Sequence, residues 1–177
     1  MIMTNLNQKS VEKRFTLLER AEYHGEKGEI RIGGADWILM GAATFRDLIS
    51  GTERMLGSPA IVVWWEIGKH AGRECAEVLL RQGTKFEELL LVLQEFFTQG
   101  GWGKVQTNVD LMKKEALVTI RNSPTARHTE SKEPTCHFIR GFIAGVCRVM
   151  FDDSAECVET KCMAKGDALC EFQVKNK

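Results

Sequence analysis

Apolar residues recur at two different periods along this chain, and the change between them falls near Gly103. Upstream the spacing is helical. Residues 8–23 set Val11, Phe15, Leu17, Leu18 and Ala21 among charged residues, which predicts an amphipathic helix near the N-terminus. In Glu29–Met40, Ile30 and Ile32 precede Gly33-Gly34 and Trp37, Ile38 and Leu39 follow it, the pattern of a short hairpin. Three helical stretches come next: Ala42–Leu56 with Phe45, Leu48, Ile49 and Leu56; Ala60–Arg81; and Lys85–Thr98 with Phe86, Leu89, Leu90, Val92, Leu93 and Phe96.

From Gly103 the period becomes two. GKVQTNVDL and EALVTIRN alternate as strands do, with a polar stretch between them suited to a turn. Asn122–Thr135 is a polar loop that holds two of the three prolines. CHFIRGFIAGVCRVM, Cys136 to Met150, is apolar on nearly every side and predicts a buried helix. Two last strands, Ala155–Met163 and Ala168–Val174, flank a turn at Gly166. Helices, two strands, a helix and two strands predict an α+β fold: a four-stranded antiparallel sheet packed against helices, with an N-terminal helix and a short hairpin.

Composition narrows the class. At 177 residues the chain has the length of one domain and buries roughly 70% of its unfolded surface, so it needs no disulfides to fold. Lysine and arginine number 24 against 24 aspartates and glutamates, which provides no basic face for nucleic acid. No repeat or linker divides the chain; the expected organisation is a helical extension over residues 1–27 and one small-molecule-binding domain over 28–177. MIMTNLNQKSVEKRF lacks the apolar core of a secretory signal, and no apolar run approaches the ~18 residues of a membrane span, so a cytoplasmic protein is expected. In that reducing compartment clustered cysteines are metal ligands, redox sensors or small core groups more often than disulfides.

Three of the six cysteines fall in CVETKCMAKGDALCEF, Cys157 to Phe172. A hairpin centred on Gly166 sets Cys162 opposite Cys170, where the sulfurs can share a metal ion, form a cross-strand disulfide or pack as small apolar groups. Zinc needs four donors, and Cys157, Glu159, Cys136 and His137 are the nearby candidates for the other two. Residues three apart on a regular strand face opposite ways, so Glu159 joins Cys162 only through a bulge or a frayed strand end.

Gly101-Trp102-Gly103, Arg121-Asn122-Ser123-Pro124, Cys136-His137-Phe138 with Gly141-Phe142 and Gly145, Glu159-Thr160-Lys161-Cys162 and Gly166-Asp167-Ala168-Leu169-Cys170-Glu171-Phe172 occur in that order, with Glu66-Ile67-Gly68 and Gly72 upstream. Together they resemble the 4-vinyl reductase domain family over about Glu29 to Val174. The resemblance implies a fold like the TRAPP Bet-type subunits and a homodimer. In metal-binding members, among them sensor domains of aromatic-responsive regulators, zinc is held by three cysteines and a glutamate. Carried over, these fall on Cys136, Glu159, Cys162 and Cys170, spaced C-x22-E-x2-C-x7-C. A closed set of this kind is structural zinc, not catalytic zinc. Its formal charge of −2 calls for cations, and Lys161, Lys165 and Arg140 are the candidates. Regulators of the family are fused to DNA-binding or ATPase modules, neither of which fits in this chain, so action through a regulatory protein partner is expected.

Glycines at Gly68, Gly72, Gly141 and Gly145 clear one helix face each, for a neighbouring helix or for a ligand. Trp64, Trp65, Trp102, Phe138, Phe142 and Met150 surround them, and Trp65, Trp102, Phe138, Phe142 and Val146 are the expected contacts of a small apolar or aromatic ligand. Phenol-sensing members hold the hydroxyl with a histidine and a tryptophan on the early sheet strands, and GKVQTNVDL and EALVTIRN contain neither. No nucleophile motif involves His24, His70, His128 or His137, and neither a Walker loop nor a dinucleotide fingerprint occurs. The expected function is thus a zinc-stabilised sensor or carrier domain. The alternatives are a component of tetrapyrrole vinyl reduction, of the divinyl chlorophyllide type, and a cysteine redox switch.

Overall fold

The structure is a computed structural model that describes residues 21–32 and 34–176. The chain runs β1 (Ala21–His24), β2 (Glu29–Ile32), β3 (Ala35–Trp37), α1 (Ala42–Leu56), α2 (Pro59–Arg81), α3 (Leu89–Gln99), β4 (Lys104–Asp110), β5 (Glu115–Arg121), α4 (His137–Met150), β6 (Ala155–Lys161) and β7 (Cys170–Asn176). The fold is α+β, as the periodicity predicts. Two antiparallel sheets form, a small one in the order β1-β2-β3 and a four-stranded one in the order β4-β5-β7-β6.

The expected hairpin is β2–β3, with Ile30 opposite Trp37 and Ile32 opposite Ala35. The helix expected over residues 8–23 lies outside the described residues as far as residue 20. Its end does not continue as helix: Ala21–His24 is extended and pairs with β2 from Ala21↔Ile32 to His24↔Glu29. Helical spacing of apolar residues stops at Ala21, and pairing along a ready strand satisfies the backbone of AEYH better than an exposed helix end would.

The four-stranded sheet buries one face. Val105 on β4, Ala116, Val118 and Ile120 on β5, Cys170, Phe172 and Val174 on β7, and Ala155 and Cys157 on β6 point into the core, and α4 lies across them. On α4 the buried positions Ile139, Phe142, Ile143, Val146, Cys147 and Met150 are helical neighbours, so the near-continuous apolar sequence becomes a helix enclosed on most sides.

What encloses its other side is α2, through the four glycines. A Cβ on Gly68 would stand 2.1 Å from the carbonyl oxygen of Phe138, and one on Gly72 2.1 Å from that of Phe142. The relation is reciprocal: Gly141 faces the carbonyl of Trp65 and Gly145 that of Lys69, each at 2.1 Å. Of the two uses that glycine spacing permits, close helix packing is the one realised. Backbone meets backbone along this seam, which leaves Cα–H groups against carbonyl oxygens.

Candidate metal centre

Four polar side chains converge at the end of the sheet nearest the start of α4. Cys136 is the N-cap of α4, with non-helical φ −84° and ψ 44°. Cys162 follows β6, and Cys170 begins β7 across a short 3-10 turn closed by Gly166 at φ 98°. Glu159 lies on β6, and the ladder to β7 slips there: Glu159 pairs with Phe172, yet Lys161 pairs with Glu171, which leaves Thr160 as an extra residue. That bulge turns Thr160 and Lys161 outward together and lets Glu159 and Cys162 both point inward.

Donor atoms of Cys136, Glu159, Cys162 and Cys170 all lie within 4.8 Å of one another, and all four residues are buried. Cys136 Sγ is 3.6 Å from Cys170 Sγ, close to the edge of about 3.8 Å expected for two thiolates on a tetrahedral zinc ion. All six cysteines are free thiols. Glu159 Oε2 accepts the backbone N–H of Cys136 at 3.1 Å, while Oε1 is buried with no hydrogen-bond partner among the described residues. A buried carboxylate oxygen left unpaired among three sulfurs is costly unless a cation completes the group. The donor set therefore fits a metal ion, and the cluster could hold one.

Around it a ring of donors holds the sulfurs in place. Met163 N–H approaches Cys170 Sγ at 3.4 Å, the Thr135 hydroxyl lies 3.8 Å from Cys162 Sγ and the Thr125 hydroxyl 3.9 Å from Cys136 Sγ. Ser123 Oγ in turn meets Thr125 Oγ1 at 3.0 Å, and both residues are buried. Asp167 Oδ2 accepts the Cys162 backbone N–H at 2.8 Å and so fixes the turn. Such outer contacts orient ligands and govern their basicity.

Without a cation the four acids share protons unequally. Hydrogen bonds from Cys136 and Cys170 hold the Cys162 thiol far below its ordinary value. The same bonds, with burial, drive Cys136 far above it. Cys170 gains from its bond with Cys136, but its bond with Cys162 and burial outweigh that and push it up to about 12. Burial, with the neighbouring Cys162, raises Glu159 to about 8. One thiolate is thus solvated by two thiols and a carboxylic acid.

The remaining cysteines stand outside the cluster. Burial raises Cys147 to about 12 and Cys75 to about 11, and raises Cys157 as well. His137, next to Cys136 in the chain, is held below its usual value by burial and by the Arg140 charge. Of the three cations expected beside the centre, Lys161 is taken by Glu171 at 3.0 Å, whereas Arg140 sits close enough to draw down the Cys157 thiol and has a buried, unpartnered Nε.

The expected ligand contacts divide into three places. Trp102 and Phe138 stack on each other, centroids 5.7 Å apart at 20°, and Phe45 meets both edge-on at 5.3 and 5.4 Å. Trp64, not Trp65, joins that cluster, 5.7 Å from Phe45. Trp65 turns the other way, with Lys69 Nζ 4.2 Å and Arg148 5.8 Å from its ring. Phe142 and Val146 line a cavity of about 30 Å³ between α3, α4 and the sheet, together with Ile139, Ile143, Val118 and Ile120. Two polar residues that the sequence reading missed also face this cavity: buried Gln94, whose Oε1 accepts Thr107 N–H at 2.8 Å and Thr107 Oγ–H at 3.1 Å, and Thr107 itself. A glutamine amid the apolar run of Leu89–Phe97 was the signal available.

An α+β domain with an inward cluster of three thiols and one carboxylate at the end of its sheet defines the class. Residues 117–176 match the 4-vinyl reductase domain, a stretch that includes all four donors, and the chain belongs to that family. An uncharacterized protein of Methanocaldococcus jannaschii is 32% identical over 124 residues, which cover 67% of this chain and 65% of that protein. A second from the same organism is 29% identical over 83 residues, 47% of this chain and 44% of its own length. The chain thus spans less than two thirds of either relative. Among solved structures, the phenol-responsive sensory domain of the transcription activator PoxR with phenol superposes at a TM-score of 0.75, with 18% identity, over 97% of this chain and 90% of that one. A trafficking protein particle complex subunit 3 from Naegleria fowleri, covalently bound to palmitic acid, gives 0.54 with 18% identity over 77% and 92%. At these identities the likeness is one of fold. No helix among the described residues is long and apolar enough to cross a membrane.

Proposed function

We propose that this chain is a zinc-stabilised domain that binds a small apolar or aromatic molecule and reports its presence through a protein partner. The observation that carries the reading is the double duty of α4. Its N-cap Cys136 is one corner of the four-donor cluster, and its inward residues Ile139, Phe142, Ile143 and Val146 form a wall of the cavity. Family membership and the fold shared with a phenol-responsive sensory domain support it.

Cys136, Glu159, Cys162 and Cys170 would hold the ion. Thiolate donors favour zinc over magnesium or calcium, and four protein donors leave no open position, so its contribution would be to tie the start of α4 to the last hairpin. Arg140 is the compensating cation. The cavity's lining has no ionisable side chain, which selects an uncharged ligand. At about 30 Å³ it is far below the roughly 300–1,000 Å³ of ligand pockets, so binding requires α3 or α4 to yield. The binding domain is residues 28–177, with residues 1–27 as an extension joined to it through β1. The chain works in the cytoplasm as a homodimer, with the exposed apolar face of α1 and α2 (Leu48, Leu56, Val62, Val63 and Ile67) as its contact.

Mass spectrometry of the full chain under native and then denaturing conditions tests this. The expected result is one zinc per chain, a dimer mass and stabilisation by an uncharged aromatic such as toluene or phenol. Metal-free protein from anaerobic, chelator-free preparation would overturn the zinc reading. Indifference of the melting temperature to a panel of uncharged aromatics would overturn the ligand reading.

A further inference from the structure

We propose that the metal centre is also an oxidation site, at which a hydroperoxide joins Cys136 and Cys170 in a disulfide and so dismantles the donor set. This deepens the zinc reading above and rests on it for its consequence, though the disulfide itself does not require the ion.

Three observations carry it. The two sulfurs stand 3.6 Å apart, so closing to about 2.05 Å asks for a shift of about 1.6 Å, shared between two side chains. Cys136 has room to make it, because it precedes the helix proper and its backbone is not helical. Cys162, the competing partner, is pinned: its N–H goes to Asp167, its carbonyl accepts from Lys165 and Asp167, and its sulfur meets Thr135.

The third observation is a way in. A polar cleft of about 580 Å³ between the α1–α2 turn and the loop before α4 is lined by Ser58, Thr129, Ser131, Thr135, His137 and Arg140. Thr135 and His137 are the chain neighbours of Cys136 on either side. A small polar oxidant that fills the cleft arrives beside that sulfur, whereas Cys147, fully buried in the middle of α4, has no such approach.

The chemistry balances with the hydroperoxide as oxidant. Cys136 sulfur attacks the O–O bond; an S–O bond forms, the O–O bond breaks, the alcohol or water leaves, and Cys136 becomes a sulfenic acid. Cys170 sulfur then attacks Cys136; the S–S bond forms, the S–O bond breaks and water leaves with the thiol proton. The peroxide gains two electrons, one from each sulfur. Only Glu159 and Cys162 remain as donors, too few for a tetrahedral site.

Full-length protein treated with hydrogen peroxide should fall from six free thiols to four, and non-reducing peptide mapping should place the new link between Cys136 and Cys170. Bound zinc should appear in a chelating dye in parallel. In Cys170→Ser no link should form and a sulfenic-acid trap should label Cys136; the wild-type map decides the matter if that variant does not fold. A link through Cys162, Cys75, Cys147 or Cys157 overturns the proposal, as does an unchanged thiol count in protein that holds zinc. A Cys136–Cys170 link in protein purified without metal upholds it and sinks the zinc reading instead.

Discussion

A carboxylic acid raised to about 8 beside a thiol that has already lost its proton is the mark of a site waiting for a cation. At pH 7 Cys136, Cys170 and Glu159 hold protons and Cys162 does not. A zinc ion that takes all four donors in their ionised forms therefore expels about three protons, and its affinity climbs with pH. Calorimetric titration of metal-free protein in buffers of different ionisation enthalpy gives that number, and release of one proton or none would contradict the shared-proton centre. Stability of the metal-free chain follows from the same groups. Between 4.5 and about 8, native Glu159 keeps a proton that the unfolded chain has lost, while native Cys162 lacks one that the unfolded chain keeps below its ordinary 9.0. The two cancel and the stability curve is flat there. Above 9.0 the unfolded thiols ionise while Cys75, Cys136, Cys147, Cys157 and Cys170 stay protonated in the fold, so the native state binds more protons and stability falls as pH rises. Denaturant melts from pH 6 to 10.5 should be level and then drop, and a curve still rising past pH 9 would refute this.

The seam between α2 and α4 makes the sharpest demand on single positions. Gly72→Ala gains roughly 1 kcal/mol of helix propensity. Against this, its Cβ meets the Phe142 carbonyl at 2.1 Å, a backbone atom that cannot rotate aside. Overpacking of this kind should leave a net loss of about 2 kcal/mol or more in urea unfolding, and a variant as stable as the parent would mean that the helices stand further apart than described. The glycine spacing was legible in the sequence as a cleared face, but not what occupied it. Periodicity likewise carried β4 to β7 to within two residues, because each strand has one buried side and the alternation is a direct record of it. The need for a bulge near Glu159 followed from strand geometry, and Thr160 supplies it. What stayed hidden depends on rotation and partners: which of the adjacent Trp64 and Trp65 turns inward is set by the phase of α2 against its neighbours. That Ala21–His24 would leave helical spacing to pair with β2 is a non-local contact that no local window contains.

One face of the molecule is left apolar. Met55 is 84% exposed, Val62 60% and Ile67 46%, and Val63 lies one turn from Ile67 on α2. A second copy covering this face explains why such side chains line up there. Val63→Asp with Ile67→Asp should convert the dimer to a monomer in light scattering while zinc content is unchanged; a monomeric parent, or a dimeric double variant, would show that this face is not the contact. Because α4 touches cluster and cavity, and α2 bears the exposed face, the three events are linked: whatever favours one arrangement of α4 shifts the other two by the same free energy. The glycine seam decides how that linkage is felt. Two helices held carbonyl to Cα have no side-chain layer to compress, so they cannot slide against each other by small steps and must open together or remain closed. Amide hydrogens in the middle of α2 and along α4 should therefore exchange with solvent water last and at one common rate, as a single slow block from Trp65 to Arg73 and from Phe138 to Cys147, while β1, β2 and β3 exchange ahead of them.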